Sequence, residues 1–193
     1  MQMIWEVAHA EEKGRSVIAR RCIKKGSIII RESAIACVPY LDHCENGRLS
    51  LRTGEYKLTQ PEKSMLKAAG KSFKGRTIML AARLILSILR KKIDINSIRQ
   101  LCLHSEENVL KASNATAAAQ VVKRLVDFTL MQDALHRLKY VSEDFCLEIL
   151  ARLESNAFTI VDDESEHLGI GIYLASSAIN HDCNPSAAQT FNR

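Results

Sequence analysis

The residues best suited to chemistry lie near the end of the sequence, in the stretch NHDCNPS from Asn180 to Ser186. This stretch places an imidazole, His181, and a thiol, Cys183, beside asparagine and proline. A metal site, a catalytic dyad and a tight ligand-holding turn would each use these residue types. The rest of the sequence has to distinguish among the three.

A metal site is disfavoured. Structural zinc takes four donors, so His181 and Cys183 would need two more ligands nearby, and His43 and Cys44 are the candidates by residue type. The chain has six cysteines without any C-x-x-C pair, at positions 22, 37, 44, 102, 146 and 183. This spacing argues against both a zinc module and a disulfide framework. We expect reduced thiols and no metal ligands.

A catalytic dyad of Cys183 and His181 is also disfavoured, because a nucleophile and its base normally meet across the fold rather than two residues apart. A plain turn remains open on spacing alone, since asparagine side chains readily bond their own backbone. Asn180 therefore has two interpretations at this point, as a turn former or as a ligand-binding residue.

Length and composition indicate one globular domain. The chain has 193 residues, of which 47% are hydrophobic and 25% charged. The longest apolar stretch, residues 77 to 89, contains Arg83 and is too short to span a bilayer. We expect a protein of the cytoplasm, the nucleus or both, without a membrane partner.

Positive charge is concentrated in residues 61 to 100, which contain ten Lys or Arg against Glu62 and Asp94. Such a block could face nucleic acid. However, no series of aromatic residues alternates with the charges to stack on bases. We favour a solvated helix face and expect nucleic-acid binding to be weak at most.

Periodicity predicts an α+β fold with strands, a helical middle and strands again. The predicted strands lie around 17–18, 28–30 and 35–38, with a Lys24-Lys25-Gly26 turn after the first, and in a later hairpin formed by NAFTIV and LGIGIYL around an acidic tip. The predicted helices lie at about 59–70, 75–92, 97–110, 115–138 and 143–154. Because the terminal strands are too few to form separate sheets, we expect them to pair with each other across the helices.

In this layout the quoted stretch resembles a known family. A strand with G-x-G-x-Y is followed by S-x-x-N-H-x-C-x-P, which is similar to the SET domain of the SET-and-MYND protein-lysine methyltransferases. The residues are Gly169, Gly171 and Tyr173, then Ser177, Asn180, His181, Cys183 and Pro185. Residues 13 to 34 resemble the N-terminal SET segment, and NAFTIV, with Asn156, resembles the strand before G-x-G-x-Y.

The resemblance implies a SET-type fold of short strands with a helical insertion. Its segments would be N-terminal SET strands at 11–40, a linker at 41–58, a helical insertion at 59–154, and the hairpin with the N-H-x-C motif at 155–193. The implied activity is transfer of a methyl group from S-adenosylmethionine to a lysine of a protein, histone or non-histone.

The resemblance also implies roles for six residues toward S-adenosylmethionine. Asn180 would hold the amino-acid end of the cofactor, and the backbone of His181 its adenine. Lys13 and Arg15 flank the glycine turn that would cover the cofactor, while Asn156 and Ser177 would border the same pocket. Tyr173 is expected to pack rather than to catalyse.

Two departures from the family pattern qualify this expectation. Cys44 is the only cysteine between residues 38 and 101, where the family carries a MYND zinc finger. The family's later segment, with its catalytic tyrosine and post-SET zinc site, has no counterpart before Arg193. The sequence is therefore interpreted as a truncated or alternatively spliced member without catalytic residues of its own. A non-catalytic interaction module and a nucleic-acid binder are the alternatives.

Overall fold

The structure, a computed structural model, describes residues 4–11, 14–40, 48–49, 56–57, 73–103, 115–132 and 141–191. Strands in these stretches are β1 (Trp5–Ala10), β2 (Gly14–Ala19), β3 (Ala36–Pro39), β4 (Arg48–Leu49), β5 (Tyr56–Lys57), β6 (Ala157–Val161) and β7 (His167–Ile172). Helices are α1 (Phe73–Leu89), α2 (Ile95–Arg99), α3 (Ala115–Gln132) and α4 (Glu143–Asn156), followed by a 3-10 turn at Ser176–Ala178. The mixture of strands and helices agrees with the predicted α+β class.

The central sheet has the order β3-β7-β6, with both pairs antiparallel. Ala36 lies opposite Ile172 and Pro39 opposite Gly169. Just before β3, Ile35 N donates a hydrogen bond of 2.9 Å to Ile172 O. The prediction that the two ends of the chain pair across the helical middle is therefore confirmed.

The predicted hairpin is also confirmed. β6 and β7 pair directly, with a register shift between Ile160 and Val161. At the acidic tip, Asp162 Oδ1 accepts hydrogen bonds from the backbone N–H groups of Glu164 and Glu166, at 3.0 and 2.8 Å. A carboxylate thus fixes the turn that the sequence predicts.

The first strands pair differently from the prediction. The turn at Lys24–Ser27 forms, since Ser27 N donates to Lys24 O at 3.0 Å and Gly26 adopts φ +82. However, the predicted strand at 28–30 is wrong, because β2 pairs with β1 along its whole length instead. Ile28, left without a sheet to pack on, is 62% exposed.

Helix α4 has clear sequence determinants. Ser142 caps it, because its side chain accepts a hydrogen bond of 3.2 Å from Phe145 N. Glu143 and Asp144 occupy the first turn, where the helix dipole favours negative charge. The chain becomes extended at Ala157, so the last helical residue, Asn156, directly precedes β6.

Other helix boundaries differ from those predicted. α1 begins two residues before and ends three residues before the predicted 75–92. The predicted helix at 97–110 is wrong over 100–103, since α2 ends at Arg99 and the backbone of Cys102 bonds to a side chain of α4 instead. The predicted helix at 59–70, residues 104–110 and residues 133–138 lie outside the described residues.

Helix α1 is the centre of the core. It packs against α3, α4, β3 and β7, and Met79, Leu80, Leu84 and Ile85 are at most 1% exposed. Burial of such side chains stabilises the fold by about 1.5–3 kcal/mol each. The helical layer therefore packs against strands β3 and β7 of the sheet through α1. Among the described helices, none is long and apolar enough to cross a membrane.

The described part of the basic block does not form a single solvated face. The guanidinium of Arg83 is buried and donates to Cys37 O at 2.5 Å. Arg76 lies over the ring of Tyr40, with its Cζ 3.7 Å from the ring centroid. Arg90, Lys91 and Lys92, just after α1, are exposed. Arg83 and Arg76 therefore make contacts within the fold rather than facing solvent as part of a basic surface.

Candidate cofactor-binding site

The candidate site begins at the turn between β1 and β2. Gly14 has φ +65, in the left-handed region that glycine adopts without a steric penalty. The next residues alternate across β2, so that Arg15 and Ser16 point to opposite faces. Ser16 is 8% exposed and Arg15 is half-buried. Lys13, predicted to flank this turn, lies outside the described residues.

The side chain of Asn180 reaches back to this turn. Its Nδ2 donates a hydrogen bond to Ser16 Oγ at 2.5 Å, across 164 residues of sequence. Ser16 Oγ in turn donates to Gly14 O at 3.3 Å. The N-H-x-C segment is therefore fastened to the glycine turn by a short relay of hydrogen bonds.

Local turn chemistry in the N-H-x-C segment belongs to a different residue. Asn184 N donates to Asp182 Oδ1 at 2.9 Å, so Asp182 forms the turn. Asn180 is exposed, and its side chain makes the long-range bond to Ser16. The side chain of Asn180 therefore joins the N-H-x-C segment to β2 rather than forming a local turn.

Asn156 and Ser177 lie on the other side of the same region. Ser177 Oγ donates to Asn156 O at 3.2 Å and also bonds Tyr173 O. The Asn156 amide donates to Cys102 O and Arg152 O, both at 2.7 Å, and accepts from Cys102 N at 3.2 Å. Both Asn156 donors are thus used within the protein, and this 4%-exposed side chain joins the end of α4 to the backbone of Cys102.

Arg15 supplies a cation with spare bonding capacity. Its Nη2 is buried and has no hydrogen-bond partner in the described part of the chain. Burial lowers the pKa of the guanidinium from its usual value, and the nearby Cys102 thiol opposes this shift. Because Asn156 holds the backbone of Cys102, Arg15 and Asn156 approach the same stretch of chain.

His181 and Cys183 do come into contact, with Cys183 Sγ 3.5 Å from His181 Nε2. Both side chains are exposed, so the pair has no water-excluding pocket in which a thiolate nucleophile would be shielded. In the described ranges, no group of three or more His, Cys, Asp or Glu side chains could hold a metal ion. His43 and Cys44 lie outside those ranges.

Tyr173 packs between aromatic rings. Its ring centroid lies 5.8 Å from that of Phe158 and 6.0 Å from that of Phe191. Burial, with smaller contributions from Cys37 and Glu32, raises the pKa of its hydroxyl to about 12. These contacts agree with the expected packing role.

Arg15, Asn156 and Ser177 are linked through Cys102 and a direct hydrogen bond, whereas Asn180 is bonded to Ser16, the residue that follows Arg15 on β2. His181 follows Asn180 and is exposed. Their chemistry suits a zwitterionic group, because Arg15 offers a cation and Asn180, with its amide nitrogen engaged, retains an oxygen acceptor. These are the group types that the carboxylate and ammonium of an amino acid would bind, but Arg15 and Ser16, the partner of Asn180, lie on opposite faces of β2.

Sequence reasoning missed two residues that shape this region, Ser16 and Glu32. Ser16 has only a weak signal, its position directly after the Lys13-Gly14-Arg15 turn. Glu32 has a clearer one, because it is the only acidic residue between positions 13 and 41. In the fold its hydrogen-bond donors come from residues more than 140 positions away.

Comparison with known proteins finds distant relatives of a single enzymatic class. The chain is 22% identical over 213 residues to histone-lysine N-methyltransferase ASHR1 of Arabidopsis thaliana, covering 96% of this chain and 44% of the relative. It is 24% identical over 132 residues to histone-lysine N-methyltransferase SMYD3 of Mus musculus, covering 68% and 31%. To N-lysine methyltransferase SMYD2-A of Danio rerio it is 25% identical over 149 residues, covering 72% and 32%.

No protein-family model matches the chain. The chain spans less than half the length of the curated relatives it matches. It is a distant homologue of lysine methyltransferases, and these relatives support the methyltransferase resemblance at low identity.

Proposed function

We propose that the chain binds S-adenosylmethionine where β2, the end of α4 and the N-H-x-C segment meet, as part of a protein-lysine N-methyltransferase with a SET-type fold. The observation that carries the proposal is the 2.5 Å hydrogen bond between Asn180 Nδ2 and Ser16 Oγ. This bond joins the glycine turn to the N-H-x-C motif. The resemblance assigns both segments to the binding of the same cofactor.

Each proposed contact follows from the chemistry of the side chains. The guanidinium of Arg15, whose buried Nη2 has no partner among the described residues, would reorient to donate to the cofactor's carboxylate. The oxygen of Asn180 would accept from its ammonium group. The backbone of His181 would hold the adenine, Lys13 would lie beside the glycine turn, and Asn156 and Ser177 would support this wall of the pocket from behind.

S-adenosylmethionine would supply a methyl group whose carbon a neutral lysine amine could attack in line, with the carbon–sulfur bond breaking and S-adenosylhomocysteine leaving. The residues of this chain would fix the amino-acid end of the cofactor and so restrict the orientation of that methyl group. Restriction of this kind is a large part of the rate gain in a two-substrate transfer. The proposed substrates are protein lysines, histone lysines among them, in the nucleus or the cytoplasm.

Calorimetric titration of S-adenosylmethionine and S-adenosylhomocysteine into the purified chain tests this proposal. We expect binding of both and a loss of about tenfold or more in affinity for Asn180→Ala. Asn184→Ala is the matched control, because it removes an exposed amide from the same segment while keeping the backbone N–H that bonds Asp182. Its affinity should equal that of the wild-type chain.

The proposal is contradicted if the wild-type chain binds neither compound, or if Asn180→Ala and Asn184→Ala bind equally well. A parallel assay of radiolabelled methyl transfer to core histones separates enzyme from binding module. Tight binding without transfer would favour the alternative of a non-catalytic, cofactor-dependent interaction protein.

A further inference from the structure

Glu32 makes an unusual set of contacts for a surface-accessible carboxylate. Its Oε1 accepts hydrogen bonds from Leu174 N at 2.7 Å and Ala175 N at 2.9 Å. Its Oε2 accepts from Ala175 N at 3.1 Å, from Ser176 N at 3.0 Å and from Ser176 Oγ at 3.1 Å. Three successive backbone N–H groups and one hydroxyl therefore converge on one half-buried side chain.

These bonds are charge-assisted, which makes them roughly twice as strong as neutral ones. They also serve the start of the 3-10 turn at Ser176–Ala178, whose first N–H groups have no partner within the turn. Glu32 comes from a distant part of the sequence and takes the place that a local capping side chain would fill. The Ala175 N-cap itself makes no side-chain hydrogen bond.

The turn that Glu32 holds leads directly into the candidate site. Ser177 lies within it and donates to Asn156 O at 3.2 Å. Ile179 N closes the turn by donating to Ser176 O at 3.0 Å, and Asn180, which bonds Ser16, is the next residue. A change in the turn would therefore move Asn180 relative to β2.

General support of the fold does not account for this arrangement. The segment after Glu32 is already joined to β7 by the β3–β7 ladder and by the bond from Ile35 N to Ile172 O, 2.9 Å long. That ladder ends at Ile172, two residues before the contacts of Glu32 begin at Leu174. The carboxylate thus acts on the turn after the strand rather than on the strand pairing.

We propose that Glu32 is a positioning residue of the cofactor site: its carboxylate fixes the turn at Leu174–Ala178 and thereby the place of Asn180. This inference rests on the proposed function for its effect on S-adenosylmethionine, but its structural half concerns the chain alone. Loss of the charge should loosen the turn and weaken cofactor binding, while the sheet and the helical core stay intact.

The test is Glu32→Gln in the full chain, compared with Asp162→Asn as a matched control. Asp162 also uses a carboxylate to hold backbone N–H groups, those of Glu164 and Glu166, but at the hairpin tip. Amide hydrogen exchange and the side-chain NH₂ signal of Asn180 are followed by NMR in the unliganded protein. The dissociation constant for S-adenosylmethionine is then measured by calorimetry.

For Glu32→Gln we expect exchange at Leu174, Ala175 and Ser176 to quicken by about tenfold, a shifted Asn180 NH₂ signal, and about tenfold weaker cofactor binding. Asp162→Asn should quicken exchange only at Glu164 and Glu166. If Glu32→Gln does not fold, Ser176→Ala removes one donor to the same carboxylate and should show smaller changes in the same direction.

The inference would be overturned if the three amides of Glu32→Gln exchanged at the same rates as in the wild-type chain. It would also be overturned if they exchanged faster while the Asn180 NH₂ signal stayed in place. If the wild-type chain binds no S-adenosylmethionine, the proposed function fails, and the exchange rates and the Asn180 signal alone decide the role of Glu32. If wild-type binds and Glu32→Gln binds equally well, the proposed function survives and the positioning role is wrong.

Discussion

Two buried ionisable side chains, Cys146 and Tyr173, make the stability of the fold depend on alkaline pH. The pKa of the Cys146 thiol is raised from 9.0 to about 11, and the pKa of the Tyr173 hydroxyl from 10.0 to about 12. Burial is the main cause of both shifts. Both groups therefore lose a proton more easily in the unfolded chain than in the folded one. Their contribution to stability is fully present below pH 9 and is lost as pH rises through these folded values.

We expect the free energy of unfolding to be level near pH 8 and to fall between pH 9 and pH 12, by up to about 3 kcal/mol for each group. Urea unfolding at pH 8, 9, 10 and 11 measures this change. Tyr173→Phe keeps the ring packing and removes one ionisation, so its decline above pH 10 should be shallower. An identical pH profile for the variant would contradict this account of Tyr173.

At the same scale, the sequence identifies Asn180 but not its partner. The motif N-H-x-C-x-P marks the residue, whereas the bond to Ser16 spans 164 positions and depends on how β2 approaches the 3-10 turn. Asn156 shows the converse. Its position before β6 was predictable, but its use as a bridge to Cys102 follows from the end of α2, which periodicity placed too far along the chain.

At the scale of elements, the pairing of β3 with β7 connects the early and late parts of the chain. A glycine makes the close approach of these strands possible. A Cβ at Gly169 would lie 2.5 Å from Val38 O and 3.1 Å from Pro39 Cα, both backbone atoms that cannot rotate away. At Gly171 the nearest atoms are side-chain atoms, Ile160 Cδ1 at 3.1 Å and Tyr173 Cε2 at 3.3 Å.

Gly169→Ala should therefore destabilise the protein by about 2–3 kcal/mol, because the strands must separate to admit the methyl group. Gly171→Ala, in the same strand, should cost about 1 kcal/mol, since flexible side chains can give way. Urea unfolding of the two variants checks the difference. Equal losses of stability, or a larger loss for Gly171→Ala, would show that the strand approach is not the constraint.

The elements that periodicity predicts well are those whose own residues determine them. α4 has a Ser142 cap and a regular apolar face, and the β6–β7 hairpin has alternation on both sides of a polar tip. The predicted strand at 28–30 is wrong because strand formation needs a partner, and β2 pairs with β1 rather than with this segment. Apolar, β-branched composition alone could not reveal that competition.

At the scale of the whole molecule, the helical layer around α1 packs against the sheet. Strand β7 of that sheet leads into the 3-10 turn and then into the N-H-x-C segment. The hairpin of β1 and β2 contacts this turn through β2. The prediction that the chain is a shortened family member stays a prediction. What we propose is narrower, namely that S-adenosylmethionine binds where these parts meet.

The most direct test of that claim is an NMR titration of the labelled chain with S-adenosylhomocysteine, followed at assigned backbone and side-chain signals. We predict saturable shifts at Arg15, Ser16, Ser177, Asn180 and His181, with unchanged signals in the groove of about 350 Å³ lined by Ile88, Lys91, Ile93, Asp94 and Ile95. Shifts confined to that groove, or no saturable shifts at Arg15 and Asn180, would contradict the account.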